Sequence, residues 1–225
     1  MRSRRRFVVL GSAGTIGRIV VRDLCESHPD NQIVAADYKV SAANDRRVQA
    51  KFVDARQPKE LANLLRGQNV VINCLQHDFN LTVMEAALRA GVHYVDLGGL
   101  FYWTRKQLRL DEKFRSAGLT AVIGIGCAPG ITNVLAAYAA NQKEKVDSIK
   151  IRVGSKDFAG YEGKLRFPYS AQTIIEELTL KPWLFRDGRF HQVAPRTGWE
   201  LTRLPKPVGR TWTLWTRHSE IATLP

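Results

Sequence analysis

The sequence predicts an α/β fold, a doubly wound parallel sheet followed by part of a second domain of α+β type. Short apolar runs alternate with helical patterns through the first half of the chain, and the connections between them are short. Most of these runs are apolar throughout, as expected of parallel strands that are buried on both faces. The pattern changes after about residue 128, so we expect a first domain at 1–128 and a second at 129–225.

The first domain is predicted to be a Rossmann-type sheet with right-handed crossovers. Its strands are predicted at 7–10, 32–37, 50–54, 69–74, 92–97 and 120–125. Between the strands, apolar residues recur at helical spacing. The helices are predicted at 16–24, 58–65, 80–91 and 104–118. Pro58 fits the first turn of a helix, and Gly91 fits a C-terminal cap.

The second domain is predicted to combine helices with short antiparallel strands. A helix at 130–142 follows Pro129, and the alternation in "VDSIKIRVG" predicts a strand at 146–154. The segment "WLFRDGRFHQV" predicts a hairpin with Asp187 and Gly188 in its turn, and "TWTLWTR" predicts a further strand.

The composition is that of an ordinary globular protein: 44% of the 225 residues are hydrophobic and 24% are charged. No apolar run approaches the roughly 20 residues of a membrane span, so we expect no membrane partner. The formal net charge is +13, and Lys and Arg are scattered apart from the cluster of Arg2, Arg4, Arg5 and Arg6. Without a nucleic-acid-binding motif, this charge favours an anionic cofactor, an anionic substrate or general solubility over nucleic acid.

The cysteines and histidines argue against a disulfide framework and against a metal site. The three cysteines are an odd number with no CxxC pair, and the five histidines are isolated from one another. The opening "RSRRRFVVLGSAG" has features of a secretory signal, but its apolar run of four residues is shorter than the roughly 7–15 that a signal needs. We therefore expect a cytoplasmic protein.

Three glycines, Gly11, Gly14 and Gly17, join the first strand to the first helix in "FVVLGSAGTIGRIVVRDL". Such a junction places free backbone N–H groups and the positive end of a helix dipole at one point, and glycines let a pyrophosphate approach the backbone. The spacing is Gly-x-x-Gly-x-x-Gly rather than Gly-x-Gly-x-x-Gly, because Ala13 occupies the middle position. The motif predicts a phosphate cradle, with a plain tight turn as the alternative.

Asp37 ends the second predicted strand, 20 residues after Gly17. An acidic residue at about this distance binds the ribose hydroxyls in dinucleotide-binding folds. Its charge repels a 2′-phosphate, so the sequence favours NAD over NADP, although Lys39 and Arg46 lie close enough in sequence to weaken this preference. The alternative is that Asp37 caps a turn.

Polar residues also end the third and fourth predicted strands, at the edge where ligands bind in such sheets. Asp54 is predicted either to line the adenine side or to start a turn. Asn73 is predicted to meet the cofactor, whereas Cys74 is more typical of a small buried apolar residue than of a nucleophile.

Three segments carry a resemblance to a known family. They are "VVINCLQHDFNLTVMEAALRAGVHYVDLGG" (70–99), "GIGCAPGITNVLAAYAA" (124–140) and "RHSEIATLP" (217–225). Together and in this order they resemble the saccharopine dehydrogenase family, including its lysine dehydrogenase relatives, and the similarity extends from Phe7 to the last residue. Members of that family are considerably longer, and this chain stops at "TLP", within what resembles their substrate domain.

The resemblance implies an oxidoreductase that passes a hydride between NAD(P) and the carbon–nitrogen bond of an amino acid of the saccharopine or lysine type. By this resemblance the dinucleotide is held by Gly11, Gly14, Thr15, Ile16, Gly17 and Asp37. The residues near the nicotinamide ribose are then Asn73, Cys74 and Leu75. The residues that border the substrate are Asp96, Ala128, Pro129 and Gly130, with His218 and Glu220 in the same cleft.

The implied chemistry also uses one general acid–base, because a proton joins or leaves the substrate nitrogen. The candidates are Asp96, His218, Glu220 and His77. Each has a structural alternative. In these alternatives, Asp96 only hydrogen-bonds a loop, His77 is only exposed to solvent, and His218 only forms a surface pair with Glu220.

Two other functions fit parts of the sequence. A short-chain-dehydrogenase-like reductase expects Tyr-x-x-x-Lys with an upstream serine. Tyr102 and Lys106 have that spacing, but the preceding strand has no serine, so we interpret the pair as coincidental. A non-catalytic NAD(P)-binding module is the second alternative. We expect a small-molecule partner and, from the aromatic tail, a homodimer.

Overall fold

The computed structural model describes residues 5–39, 45–158, 167 and 169–225 of the chain. These residues fall into two compact units, the first ending at Gly126 and the second beginning at Cys127. Each unit has its own strands and helices.

A parallel sheet is the framework of the first unit. Its strands are β1 (Arg6–Leu10), β2 (Gln32–Asp37), β3 (Val48–Phe52), β4 (Val70–Asn73), β5 (His93–Asp96) and β6 (Ala121–Val122). Its helices are α1 (Thr15–Ser27), α2 (Pro58–Leu65), α3 (Asn80–Ala90), α4 (Phe101–Leu108) and α5 (Asp111–Ser116). The strand order is β3-β2-β1-β4-β5-β6, and every pairing is parallel. This order confirms the predicted Rossmann-type fold, with its topological switch point between β1 and β4.

The hydrophobic core of the first unit lies between the central strands and the helices α2 and α3, which pack against each other. On the strands, Val8, Leu10, Val71 and Tyr94 have no solvent exposure. The buried apolar side chains of the two helices are Leu61, Ala62, Leu65, Val83, Met84, Ala86 and Ala87. Each buried Val, Leu or Met contributes about 1.5–3 kcal/mol, so the sheet has an apolar core of its own.

The segment predicted as one helix at 104–118 forms two helices, α4 and α5. Arg105 and Lys106 lie in the last turn of α4, whereas Asp111 and Glu112 lie in the first turn of α5. Cations stabilise the negative end of a helix dipole and acids stabilise the positive end, so these charges favour a break between the two turns. The prediction of a single helix is therefore wrong.

Arg47 joins the C-terminal end of α1 to the start of β3. Its guanidinium pairs with the carboxylate of Asp45 at 2.6 Å. It also donates to the carbonyl oxygens of Cys25 and His28, at 2.8 and 3.3 Å. The carbonyls at a helix end lack partners within the helix. One side chain therefore caps α1 and orients the chain that enters β3.

The second unit is built from shorter elements. They are α6 (Ile131–Ala140), α7 (Ala171–Thr179), β7 (Trp183–Arg186), β8 (Arg189–Gln192), β9 (Glu200–Arg203) and β10 (Arg210–Thr213). β7 pairs with β8 and β9 pairs with β10, both antiparallel. The turn between β7 and β8 has φ values of +50° at Asp187 and +69° at Gly188. Positive φ at both residues is typical of a two-residue type I′ turn, so the predicted Asp-Gly hairpin is confirmed.

The second unit departs from the prediction in three places, one of which is β9, a strand that was not anticipated. Residues 146–154, predicted as a strand, contain no strand, and Ile149 and Val153 are 44% and 59% exposed there. Alternating apolar residues form a strand only where a neighbouring strand supplies hydrogen bonds. α7 was not anticipated, although Ser170 marks its start by accepting the N–H of Thr173.

α6 confirms the helix predicted at 130–142, but its apolar side faces outwards. Four side chains at i, i+3, i+4 and i+7 are 58–69% exposed, namely Ile131, Val134, Leu135 and Tyr138. On another side of the helix, Thr132 and Asn133 bond to Glu220 and Thr223 of the same unit. Polar contacts thus anchor α6 within its unit.

We expect Arg47→Ala to lower the free energy of unfolding, because it removes charge-assisted hydrogen bonds that cap α1. Arg46→Ala removes an exposed neighbour and is the matched control, with an expected loss below about 0.5 kcal/mol. Urea unfolding followed by circular dichroism measures both losses. Equal losses in the two variants would contradict the capping role.

Candidate functional site

The loop after β1 is shaped by contacts that require glycine. Gly11 has a φ of +73°, and a Cβ at this position would lie 2.8 Å from the carbonyl oxygen of Cys74. The N–H groups of Gly11 and Ser12 donate to the carbonyl of Ala36, at 3.0 and 3.3 Å. The loop therefore lies against the ends of β2 and β4, the two neighbours of β1.

Gly17 allows α1 to begin directly beside this loop. A Cβ at Gly17 would lie 2.1 Å from the carbonyl oxygen of Gly11, closer than any side chain can approach. Gly14 has an ordinary φ of −71°, and its Cβ would lie 3.2 Å from the same oxygen with no other described atom within 4 Å. Packing thus requires Gly17, whereas a Cβ at Gly14 would be tight against one oxygen and would otherwise meet open space at the start of the helix.

The first turn of α1 has backbone donors that no side chain caps. Gly14 is the N-cap residue and supplies no side-chain acceptor, and the turn contains no acidic residue. The amides of Thr15, Ile16 and Gly17 have no acceptor within the helix and lie at the positive end of its dipole. A phosphate is the ligand that such a junction binds. The open space and the uncapped amides fit the diphosphate of a dinucleotide.

Asp37, at the end of β2, has its side chain turned towards the glycine loop and is 6% exposed. Its Oδ2 accepts the N–H of Ala13 at 3.0 Å, and its Oδ1 accepts the N–H of Lys39 at 2.9 Å. The acid thereby ties the loop to the chain that leaves β2. These bonds match the turn-capping alternative, and the ribose contact stays a prediction.

Asp54 follows β3 and starts a turn. Its Oδ1 accepts the N–H of Arg56 at 3.0 Å, and its carbonyl accepts the N–H of Gln57 at 2.9 Å. The side-chain hydrogen bond from Arg56 holds the pKa of Asp54 below its ordinary value. The contacts match the turn-initiating alternative, and a role on the adenine side stays a prediction.

Asn73, at the end of β4, belongs to a buried network of polar side chains. Its Nδ2 donates to Oδ1 of Asn80 at 2.9 Å and to the hydroxyl of Tyr94 at 3.3 Å. Its Oδ1 accepts the N–H of Leu75 at 3.2 Å. The Asn73 side chain thus holds the turn after β4 through its hydrogen bonds inside the protein. Contacts of residues 73–75 with a cofactor would therefore come from their backbone and from the Leu75 side chain.

Asp96, at the end of β5, is the centre of the same network and is 1% exposed. Its Oδ1 accepts the N–H groups of Gly98 and Gly124, at 2.8 and 2.7 Å. Its Oδ2 accepts the hydroxyl of Tyr94 at 2.8 Å and the Nε2–H of Gln107 at 2.5 Å. Burial, together with the charge of Asp96, raises the pKa of Tyr94 above its ordinary value. The acid thus holds the loops after β5 and β6, as the loop-bonding alternative expects.

Cys74 lies beside the glycine loop with its thiol largely buried. Burial raises the pKa of this thiol to about 12, so the reactive thiolate is scarce at neutral pH. Burial also raises the pKa of Cys25, whereas Cys127 is exposed. Cys74 therefore has the character of a small apolar residue rather than of a nucleophile.

The remaining sequence candidates are His77, which lies against α4, and the pair Tyr102 and Lys106, which belongs to α4. His77 is 7% exposed, and its ring lies 6.1 Å from that of Trp103, so it is buried rather than solvated. Tyr102 and Lys106 lie one turn apart, with the ammonium 4.4 Å from the centre of the phenol ring. This is a cation–π contact, which agrees with the interpretation of the pair as coincidental.

The second unit brings together two of the segments that carry the family resemblance. The turn at 128–130, predicted to border the substrate, leads into α6. Thr132 donates its hydroxyl to Oε1 of Glu220 at 3.0 Å, across 88 residues of sequence. Asn133 donates to the hydroxyl of Thr223 at 2.9 Å. The turn at 128–130 is therefore linked to the terminal segment through the start of α6.

His218 is held between two carboxylates. Its Nδ1 lies 2.5 Å from Oε2 of Glu220, and its Nε2 lies 3.5 Å from Oε1 of Glu177. Tyr169 donates its hydroxyl to the same Glu177 at 2.8 Å. Burial lowers the pKa of His218, but hydrogen bonds to the two acids and their charges outweigh it and raise the pKa to about 10. His218 is therefore a cation at neutral pH.

Several residues that organise these clusters carry no signal in the sequence. Asn80, Gln107 and Glu177 lie on helices, and nothing in their spacing indicates which strand end or histidine they meet. Tyr94 alternates with apolar neighbours and is indistinguishable from an ordinary core residue. Only the fold brings these side chains to Asp96 and His218.

The described parts of the chain contain no group of three or more His, Cys, Asp or Glu side chains placed to hold a metal ion. Within the same parts, no helix is long and apolar enough to cross a membrane. The candidate ligand site of the first unit is the glycine loop with the uncapped first turn of α1.

Comparison with known proteins identifies the family. The profile described as "Saccharopine dehydrogenase NADP binding domain" matches residues 7–122, just over half of the chain. The chain belongs to the saccharopine dehydrogenase family. The match spans the parallel sheet from β1 to β6, and it confirms the resemblance carried by the sequence motifs.

The chain spans about half the length, or less, of the relatives that it matches. A carboxyaminopropylagmatine dehydrogenase of Synechocystis is 27% identical over 207 residues, which are 84% of this chain and 51% of the relative. A saccharopine dehydrogenase (NADP⁺, L-glutamate-forming) of Pyricularia oryzae is 27% identical over 151 residues, 62% of this chain and 31% of the relative. The solved apo structure of saccharopine dehydrogenase (L-Glu forming) from Saccharomyces cerevisiae has a TM-score of 0.63 at 20% identity and supports the fold. The structural match covers 90% of this chain and 47% of the yeast chain.

We expect Asp96→Asn to lower the free energy of unfolding by about 1–3 kcal/mol. The amide nitrogen of asparagine would face N–H or O–H groups whose hydrogen bonds the carboxylate now accepts. Asp78→Asn, at an exposed position nearby in sequence, is the control and should be close to neutral. Urea unfolding measures both variants. A wild-type stability in Asp96→Asn would show that the network does not depend on the acid.

The raised pKa of His218 predicts a stability that declines at alkaline pH. Its folded value of about 10 lies above the ordinary 6.5, so its stabilisation is complete below about pH 6.5 and is lost as the pH rises through 10. We expect the stability difference between wild type and His218→Gln to shrink over this interval. Urea unfolding at several pH values measures the difference, and a constant difference would refute a charged imidazole at this half-buried position.

Proposed function

We propose that the chain binds a nicotinamide dinucleotide on the glycine loop and acts, as an oxidoreductase, on the carbon–nitrogen bond of an amino acid. The observation that carries the proposal is the uncapped first turn of α1, which begins beside Gly11 only because Gly17 has no side chain. This turn follows β1 at the switch point with β4, where dinucleotides bind in sheets of this order. Family membership supports the same class of cofactor.

The chain would hold the dinucleotide mainly with its backbone. The amides of Thr15, Ile16 and Gly17 are donors for the diphosphate. The bound nicotinamide supplies the hydride chemistry. Asp37 keeps the glycine loop against β2, and Asp96 keeps the loops after β5 and β6 in place. These two acids therefore shape the site rather than react in it.

A proton must also join the substrate nitrogen when an imine is reduced, and leave it when an amine is oxidised. Both oxygens of Asp96 accept two hydrogen bonds each from the protein, so this carboxylate is used to hold loops. His218 carries a proton at neutral pH, and Glu220 lies next to its Nδ1. We propose His218 and Glu220 as the proton-transfer pair, since the charged imidazole carries a proton next to a carboxylate that can take it.

We infer the substrate class from what the relatives are named for. The relatives are named for saccharopine and for carboxyaminopropylagmatine, and we take an amino acid of the saccharopine or lysine type as the substrate of this chain. The net charge of +13 suits an anionic cofactor and a substrate that carries carboxylates. A reducing, cytoplasmic setting agrees with three free cysteines, and a homodimer stays a proposal.

Fluorescence titration with NADH and NADPH, followed by assays of lysine and saccharopine oxidation, tests the proposal. Binding with turnover of either amino acid supports it. Binding without turnover would favour a non-catalytic NAD(P)-binding module, and turnover of simple alcohols or ketones would favour a short-chain-dehydrogenase-like reductase. If neither nucleotide binds at millimolar concentration, the cofactor site is wrong.

We expect Gly14→Val to weaken the binding of both nucleotides at least about tenfold, because its side chain would fill the open space at the start of α1. Ser27→Val, at the exposed far end of the same helix, is the control and should bind both normally. Circular dichroism and thermal unfolding establish that each variant is folded. Wild-type affinity in a folded Gly14→Val protein would remove the cradle from the proposal.

A further inference from the structure

Glu177, on α7, meets the terminal segment of the chain at two points. Its main-chain carbonyl accepts the N–H of Arg217 at 3.1 Å. Its carboxylate reaches the next residue along, since Oε1 lies 3.5 Å from Nε2 of His218. Arg217 is held once more just after α7, where its Nε donates to the carbonyl of Lys181 at 3.1 Å. Contacts with α7 therefore fix both the backbone that precedes His218 and the imidazole ring itself.

A tyrosine holds the other side of the Glu177 carboxylate. The hydroxyl of Tyr169 donates to Oε2 at 2.8 Å, so each carboxylate oxygen has a partner of its own. Burial, together with this hydrogen bond, raises the pKa of Tyr169 above its ordinary value, so the phenol keeps the proton that it donates. The side chain of Glu177 is only 13% exposed. Its charge is therefore fixed in direction and acts on the imidazole with little screening by water.

The two acids beside His218 differ in what else they contact. Glu220, next to Nδ1, accepts the hydroxyl of Thr132 with its other oxygen, at the start of the helix that follows the turn at 128–130. Glu177, next to Nε2, is bonded instead to Tyr169. The two nitrogens of an imidazole have separate roles, because the partner of one sets what the other can do. The Nδ1 side thus leads to the turn predicted to border the substrate, and the Nε2 side leads to α7.

We propose that Glu177 is a positioning residue, which holds the ring of His218 by Nε2, supplies its counter-charge and leaves Nδ1 with Glu220 for proton transfer. The inference rests on the proposed function, in which His218 and Glu220 exchange a proton with the substrate nitrogen. In the part of the chain that the structure describes, Glu177 and Glu220 are the charges that act on His218, whereas the neighbouring Arg217 interacts with Glu176.

An NMR titration of His218 in the intact chain tests the counter-charge. Among the five histidines, the signal that is absent from His218→Gln belongs to His218. Glu177→Gln keeps the size of the side chain and an oxygen that can accept from Tyr169, but it removes the charge 3.5 Å from Nε2. It should lower the pKa of His218 by about 1–3. Glu144→Gln, at an exposed position of the same unit, is the matched control and should leave this pKa as in the wild type.

The pH–rate profile of saccharopine oxidation separates positioning from a structural role. The relevant limb of the wild-type profile is the one whose midpoint matches the NMR pKa of His218. Glu177→Gln should move this midpoint to lower pH together with the pKa, because the rate follows the charge on the ring. A residue that only stabilises the fold would lower the rate at every pH and leave the midpoint in place, which would overturn the positioning role.

Glu177→Asp is the second variant, and it keeps the charge while drawing the carboxylate one methylene back from the ring. It should lower the pKa of His218 by less than Glu177→Gln does, because the ion pair is lengthened rather than removed. Circular dichroism and thermal unfolding establish which variants are folded. Glu177→Asp carries the test if Glu177→Gln does not fold, and a wild-type pKa of His218 in whichever variants fold would overturn the role of Glu177.

The failure of this inference is distinguishable from that of the proposed function. If saccharopine or lysine is turned over and the pKa of His218 is the same in the wild type and in Glu177→Gln, the role of Glu177 is overturned and the proposed function stands. If the pKa falls in Glu177→Gln but the wild type turns over neither amino acid, the proposed function is overturned together with any role of Glu177 in proton transfer.

Discussion

The close approach of α1 to the carbonyl of Gly11 is the constraint on which the candidate site depends. A Cβ at Gly17 would lie 2.1 Å from that oxygen, so the contact exists only with glycine. Because α1 begins there, its uncapped amides lie where β1, β2 and β4 end, with the carbonyls of Ala36 and Cys74 against the same loop. The contact between Gly17 and the carbonyl of Gly11 thus sets where the positive end of the α1 dipole lies relative to the strand ends.

Acidic and amide side chains along the carboxyl edge of the sheet serve mainly to hold loops. Asp37 bonds to the glycine loop, Asn73 to the turn after β4, and Asp96 to the loops after β5 and β6. Buried polar groups need such partners, because an unsatisfied one costs about 1–3 kcal/mol. The edge consequently offers main-chain donors, rather than these acidic and amide side chains, to a ligand.

The sequence predicts elements well where both ends are marked by local chemistry. The bounds of β2 and α2 agree with the predicted 32–37 and 58–65, since turn residues and Pro58 delimit them. The alternation at 146–154 says nothing about a partner strand, which is why the prediction there is wrong. Likewise, the glycine spacing marks the loop after β1, but Asp96 accepts a hydrogen bond from Gly124, a donor that only the tertiary fold brings within reach.

The three cysteines differ enough in their surroundings to be distinguished by a reagent. Burial suppresses the thiolates of Cys74 and Cys25, whereas Cys127 is open to solvent. Maleimide dyes attack thiolates that they can reach. Such dyes would therefore label Cys127, the first residue of the second unit, and leave Cys74 beside the glycine loop unmodified. A fluorescent reporter can thus be attached to the protein without changing its sequence.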